Sequence, residues 1–261
     1  MKKLVLTISM FLALSTFLWA QESSGDLGKK LANPVASMIS MPFQTNTEFG
    51  IGEFNGSRFT TNIQPVLPFQ ISENLNLITR AVVPVINQYD ITGAGESQTG
   101  IGDALITGFL SPVNSGKVIW GVGPNVLMPT GTQEALSTKK WGLGASGVVL
   151  TQTNGFTFGA LLNHTWSVAG DAARPNFSQT YFQPFAAYNW PSGAGITFAQ
   201  FEMSKEWESG AFIGSYNPMV SMVSVLGKLP VSMAIGPRVM FGKDNPADWG
   251  MRASLTFIFS K

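Results

Sequence analysis

Reactive side chains are few in this sequence, and their spacing limits what they can do. Histidine occurs once, at His164, and cysteine not at all. The lack of cysteine removes disulfides, thiol catalysis and cysteine-ligated zinc or iron–sulfur centres together. One imidazole also leaves no histidine pair for a metal site of the usual kind. His164 falls on the parity of Phe158, Leu162 and Trp166, so within a strand it shares their apolar face. Ser167 and Thr165 lie at odd offsets from it, on the opposite face. Serine hydrolysis needs the hydroxyl and the imidazole side by side, so this spacing does not supply it. The chain is read as non-enzymatic, with no catalytic residue, cofactor or metal. Two motif matches carry no chemistry. Gly142-Leu143-Gly144-Ala145-Ser146-Gly147 fits G-x-G-x-x-G, but a predicted strand follows where dinucleotide binding needs a helix N-terminus. Ser137 and Lys140 fit S-x-x-K without its companion motifs.

Charge is the other source of chemistry. Lys+Arg total 16 and Asp+Glu 15, so only 12% of the 261 residues are charged, about half the globular average of roughly 25%. Hydrophobic residues make up 44%, with 28 Gly and a mean hydropathy of +0.16. This mix excludes intrinsic disorder, and a net charge of +1 excludes a nucleic-acid binder that works by neutralising phosphates. Five charged residues stand on the polar parity of apolar strands: Arg80, Asp103, Glu202, Arg238 and Arg252. They form a candidate interior charge cluster, because unpaired charge buried from water is costly and such groups must pair. The cluster reads either as a structural network filling the interior or as a constriction favouring anionic or polar solutes.

The elements that must position these residues are strands. Residues 1–20, with Lys2-Lys3 before the apolar Leu4 to Leu18, read as a secretory signal peptide. Residues 21–37 read as a periplasmic or plug segment, with a short helix ended by Pro34. Residues 38–261 alternate polar and apolar side chains through twelve predicted strands, near 38–49, 60–70, 75–88, 100–111, 117–129, 141–151, 156–168, 179–190, 195–207, 211–226, 231–242 and 249–259. Tight turns such as Asn154-Gly155 alternate with longer polar connections around 50–59, 89–99, 130–140, 169–178 and 243–248. Tyr89, Trp120, Trp141, Trp166, Trp190, Trp207 and Trp249 all fall at predicted strand ends, as an interfacial girdle requires. The expected fold is an all-β, transmembrane, antiparallel up-and-down β-barrel of about twelve strands. Pro65, Pro68, Pro84, Pro124, Pro184, Pro218 and Pro237 lie inside these strands and predict bulges or irregular rungs.

Several stretches resemble a known family. They are Leu31-Ala32-Asn33-Pro34-Val35-Ala36-Ser37 running into Ile39-Ser40-Met41-Pro42-Phe43-Gln44, then Gly100-Ile101-Gly102-Asp103, Trp141-Gly142-Leu143-Gly144, and Leu162 to Asp171. Together they resemble the outer-membrane barrel family named for the meta-cleavage pathway of phenol degradation, whose members are labelled as transporters. The resemblance implies an outer-membrane protein of a Gram-negative bacterium that passes small hydrophobic or aromatic molecules, and it brings no site residues. The expected partners are outer-membrane lipid and lipopolysaccharide, the insertion machinery during biogenesis, and an unidentified small solute, with no nucleic acid. The alternative is a structural or adhesive barrel with a filled, non-conducting interior.

Overall fold

In a computed structural model of the chain, residues 23–259 are described; the signal-peptide reading of residues 1–20 lies outside them. Among the described residues, one α-helix, α1 (Ser24–Leu31), precedes fifteen β segments. These are β1 (Ile39–Ile51), β2 (Gly56–Ile63), β3 (Val66–Gln70), β4 (Leu75–Tyr89), β5 (Ser97–Ile101), β6 (Ala104–Pro112), β7 (Val118–Met128) and β8 (Lys140–Thr153). They continue as β9 (Phe156–Gly170), β10 (Ser178–Asn189), β11 (Ala194–Glu206), β12 (Phe212–Tyr216), β13 (Met219–Leu226), β14 (Leu229–Phe241) and β15 (Trp249–Phe259). Three wall strands are each interrupted once, at Gln64-Pro65 between β2 and β3, at Gly102-Asp103 between β5 and β6, and at Asn217-Pro218 between β12 and β13. The fifteen segments therefore make twelve wall strands, all antiparallel to their neighbours. β1 closes onto β15 from Ile39↔Phe259 to Phe49↔Trp249, and β10 pairs with β11, so the sheet has no open edge.

Alternation sets the two faces. In β7, Val118, Trp120 and Val122 are exposed while Gly121 and Asn125 are buried. The same alternation runs round the barrel: large apolar side chains cover the outside, and the inside is lined by polar and small residues together with one apolar cluster of Ile78, Phe109, Val148, Leu150 and Leu161. No helix among the described residues is long and apolar enough to cross a membrane. Short connections such as 71–74, 154–155 and 227–228 close one end, called inner below, and connections such as 129–139 and 242–248 lie at the outer end. The expected long loop at 50–59 is instead a tight turn. β1 and β2 continue to Ile51 and from Gly56, because Gly52 and Asn55 adopt the positive φ that a tight turn demands.

The prolines divide. Pro65 and Pro218 occupy strand interruptions, where a missing N–H breaks the ladder. Pro68, Pro84, Pro124, Pro184 and Pro237 remain within paired strands.

The N-terminal segment lies in the inner mouth. The hydroxyl of Ser23 caps α1 by accepting from the Asp26 N–H, Asp26 occupies the first turn, and Lys29 and Lys30 the last. Leu27 packs with Met38, Val223 and Ile258, joining the helix to β13 and β15. Four residues past the end of the helix, Val35 reaches the opposite wall and packs among Ile78, Phe109, Val148, Leu150 and Leu161. Burying Leu27 and Val35 is worth about 1.5–3 kcal/mol each, which is what holds the segment inside. The Gln152 amide also donates to the Lys29 carbonyl.

Candidate functional site

Four of the interior's charged side chains meet in the outer half. Glu202 of β11 accepts both Nη groups of Arg252 of β15, at 2.7 and 2.8 Å, in a bidentate pair. Arg238 of β14 reaches Glu202 Oε2 at 3.3 Å and Glu48 Oε1 at 3.2 Å. Asn46 Oδ1 accepts from Arg252 Nε at 2.7 Å and from Arg238 Nη1 at 3.3 Å. Arg252 is 1% exposed, and the set of two guanidiniums and two carboxylates is electrically neutral. Small residues make this close packing possible. Gly250 stands opposite Arg238, Gly236 opposite Arg252, and Ser215 opposite Glu202. The two arginines are thus diagonal neighbours across the β14–β15 pair.

Arg80 and Asp103 do not join this cluster. Arg80 of β4 hydrogen-bonds to Gln64 at the β2–β3 interruption, and forms no ion pair among the described residues. Asp103 sits in the β5–β6 interruption and ties down the 130–138 loop instead. Its carboxylate accepts from the backbone N–H groups of Gly131 and Thr138, at 3.1 and 2.6 Å, and from the hydroxyls of Ser137 and Thr138. The strand ends at Ile101, so at Asp103 alternation no longer reports the direction of a side chain.

Glu48 and Asn46 belong to the cluster although the charge pattern alone did not single them out. Both occupy the inward parity of β1 with Gln44, and that parity is the signal that would have found them.

Two cavities flank a polar partition. The outer one, of about 330 Å³, is bounded by Glu202 and Arg252 and by an apolar wall that includes Val82, Leu105, Phe109 and Leu127. The inner one, of about 280 Å³, lies between the partition and the segment from Lys30 to Met38. Six residues line both: Gln44, Gln64, Arg80, Leu161, Gln183 and Gln200. Four neutral amides, one guanidinium and the Leu161 side chain therefore stand between the inner space and the outer.

The aromatic residues expected at strand ends are exposed on the outer face. Trp120 and Trp190 stand at the inner end, and Tyr89, Trp141, Trp166, Trp207 and Trp249 at the outer end. His164 also faces outward, its ring 4.1 Å from that of Trp166. Its same-face neighbours come from the adjoining strand. Ser178 Oγ lies 3.3 Å from Nε2 and Thr180 Oγ1 2.7 Å from Nδ1, while the Trp207 indole N–H donates to Thr180. A serine does therefore stand beside the histidine, which in-strand spacing could not reveal. The group behind the imidazole is a hydroxyl and not a carboxylate. No group of acidic, histidine or cysteine side chains fit to hold a metal occurs among the described residues.

No protein-family model and no curated protein matches the chain. Among solved structures, it is similar to an outer membrane channel from Pseudomonas putida F1, with a TM-score of 0.66 and 13% identity over 85% of this chain and 96% of that one. The chain shares the fold of that channel, a closed antiparallel β-barrel. The β domain of the Bordetella autotransporter BrkA also aligns, with a TM-score of 0.43 and 12% identity over 85% of this chain and 100% of that one.

Proposed function

We propose that the chain is a non-enzymatic outer-membrane channel of a Gram-negative bacterium, exported by its N-terminal signal and passing small hydrophobic or aromatic molecules. The observation that carries this reading is the pair of interior cavities meeting at one amide-rich partition. A solute entering the outer cavity has an apolar wall to rest on and exchangeable hydrogen bonds at the partition. Such weak, multi-site contact suits passage better than capture. The family named for the phenol meta-pathway fits the resemblance of the quoted stretches, and lipopolysaccharide, lipid and the insertion machinery are the partners such a protein meets. Planar-bilayer conductance and liposome uptake of small aromatics by the purified protein test the reading; flux of both ions and aromatics is the expected result.

A filled, structural barrel is the second reading. It is favoured by the N-terminal segment, whose Leu27 and Val35 are anchored on opposite walls of the inner mouth. It predicts neither conductance nor uptake. The outward Ser178–His164 pair tests the non-enzymatic part. Esterase activity abolished by His164→Ala would overturn it.

A further inference from the structure

We propose that Arg80 is the receptor for the carboxylate of a small amphiphile whose apolar body lies along the Val82–Leu105–Phe109–Leu127 wall of the outer cavity. This rests on the cavities that carry the channel reading, and it assigns the solute its chemical class. Three observations converge on Arg80.

The first is its unmatched charge. The other guanidinium lining the outer cavity, that of Arg252, is neutralised by the bidentate Glu202. Among the described residues, the Arg80 side chain has one hydrogen-bond partner, the neutral amide oxygen of Gln64. A guanidinium offers five N–H donors, so most of its hydrogen-bonding capacity is open. Glu202 acts on Arg80 only at a distance, being bound by Arg238 and Arg252. A cation withdrawn from bulk water without an ion-pair partner of its own is costly, and a ligand anion relieves that cost.

The second is position. Arg80 lines both cavities, so its accessible surface opens onto the interior spaces on either side of the partition. Its guanidinium is therefore offered to whatever stands at the partition. The planar fork suits a carboxylate in two parallel hydrogen bonds.

The third is the company it keeps. Val82 follows Arg80 on the same inward parity of β4, and Leu105 and Phe109 of β6 extend the apolar surface beside it. Facing that wall are amides and the Tyr181 hydroxyl, which donates to Gln183. The outer cavity is thus apolar on one side and polar on the other, with the open cation at the boundary. Its volume of about 330 Å³ lies at the small end of the range of roughly 300–1,000 Å³ found for ligand pockets, which limits the body to one ring or a short chain.

The test uses 3-phenylpropionate and its uncharged counterpart 3-phenylpropan-1-ol. Equilibrium dialysis of each against detergent-solubilised full-length protein, with micelle-only dialysis subtracted, gives the two affinities. The expected result is at least tenfold tighter binding of the acid. Arg80→Gln should remove that preference and leave the alcohol unchanged, and Arg80→Lys should keep part of it. Arg174→Gln, which removes the same charge from an exposed loop, should change neither. Equal affinities in the wild type, no binding of either compound, or full acid preference in folded Arg80→Gln would each overturn the proposal. The wild-type comparison stands even if Arg80→Gln fails to fold, which a heat-modifiable gel shift reports. Flux measurements separate the two readings: binding of the acid without any flux sinks the channel alone, and flux with no acid preference sinks this proposal alone.

Discussion

At the scale of the residue, the interior cluster is a matched set whose members depend on one another. Removing one partner from a buried pair leaves the other charge stranded, at a cost of about 3–5 kcal/mol, whereas replacing both by apolar groups is often close to neutral. Arg252→Met should therefore lower the urea midpoint of the purified protein sharply, and Arg252→Met combined with Glu202→Leu should recover most of the loss. If the double substitution is as destabilising as the sum of the singles, the pair is not the unit. Because Arg238 and Arg252 are already neutralised, Arg238→Ala should alter stability more than ion selectivity, which single-channel recording would check. Much of this set was legible from parity. Glu202, Arg238 and Arg252 all stand on the polar face of strands whose limits alternation marks well. Asp103 was misread because a break without proline leaves no trace in the alternation. Ser178 was missed because its neighbourhood with His164 depends on β9–β10 register, which no single strand encodes.

At the scale of the element, glycines and the N-terminal segment carry the consequences. A Cβ on Gly236 would stand 1.8 Å from the Pro218 carbonyl oxygen, a backbone atom fixed by the strand interruption. Gly236→Ala should prevent closure of the β12–β14 region, seen as loss of the heat-modifiable gel band. A Cβ on Gly147 meets only ordinary contact at 3.9 Å, so Gly147→Ala should fold normally and serves as the control. Deleting residues 22–36 removes α1 and Val35 and should raise planar-bilayer conductance severalfold; unchanged conductance would mean that the segment does not obstruct the path. The helix and its end at Pro34 were readable from capping chemistry, since Ser23, Asp26 and Lys29-Lys30 sit where a short helix wants them. Its place inside the mouth was not, because the walls it touches come from strands distant in sequence.

At the scale of the molecule, the aromatic ends match the thickness they must bracket. From Phe156 to Trp166 on the outer face of β9 is ten residues, about 33 Å along a strand and about 25 Å along the axis at a tilt near 40°, close to the apolar band of such barrels. Leu162 lies within this band and is exposed. Leu162→Lys should therefore cost about 2–4 kcal/mol in a lipid-refolding measurement, and the same change in an outer loop almost nothing. The overall architecture was the most legible level, because twelve alternating strands repeat one signal many times while a site appears once. Closure has a further consequence through the small cluster of Leu27, Met38, Val223 and Ile258. Met38 immediately precedes the first strand and Ile258 lies in the last, and these two strands form the seam. Until the seam zips, Leu27 lacks Met38, one of its three buried partners. Docking of the helix is thus a built-in report that the ring is complete, and protection of residues 23–36 from protease should be the last event of folding.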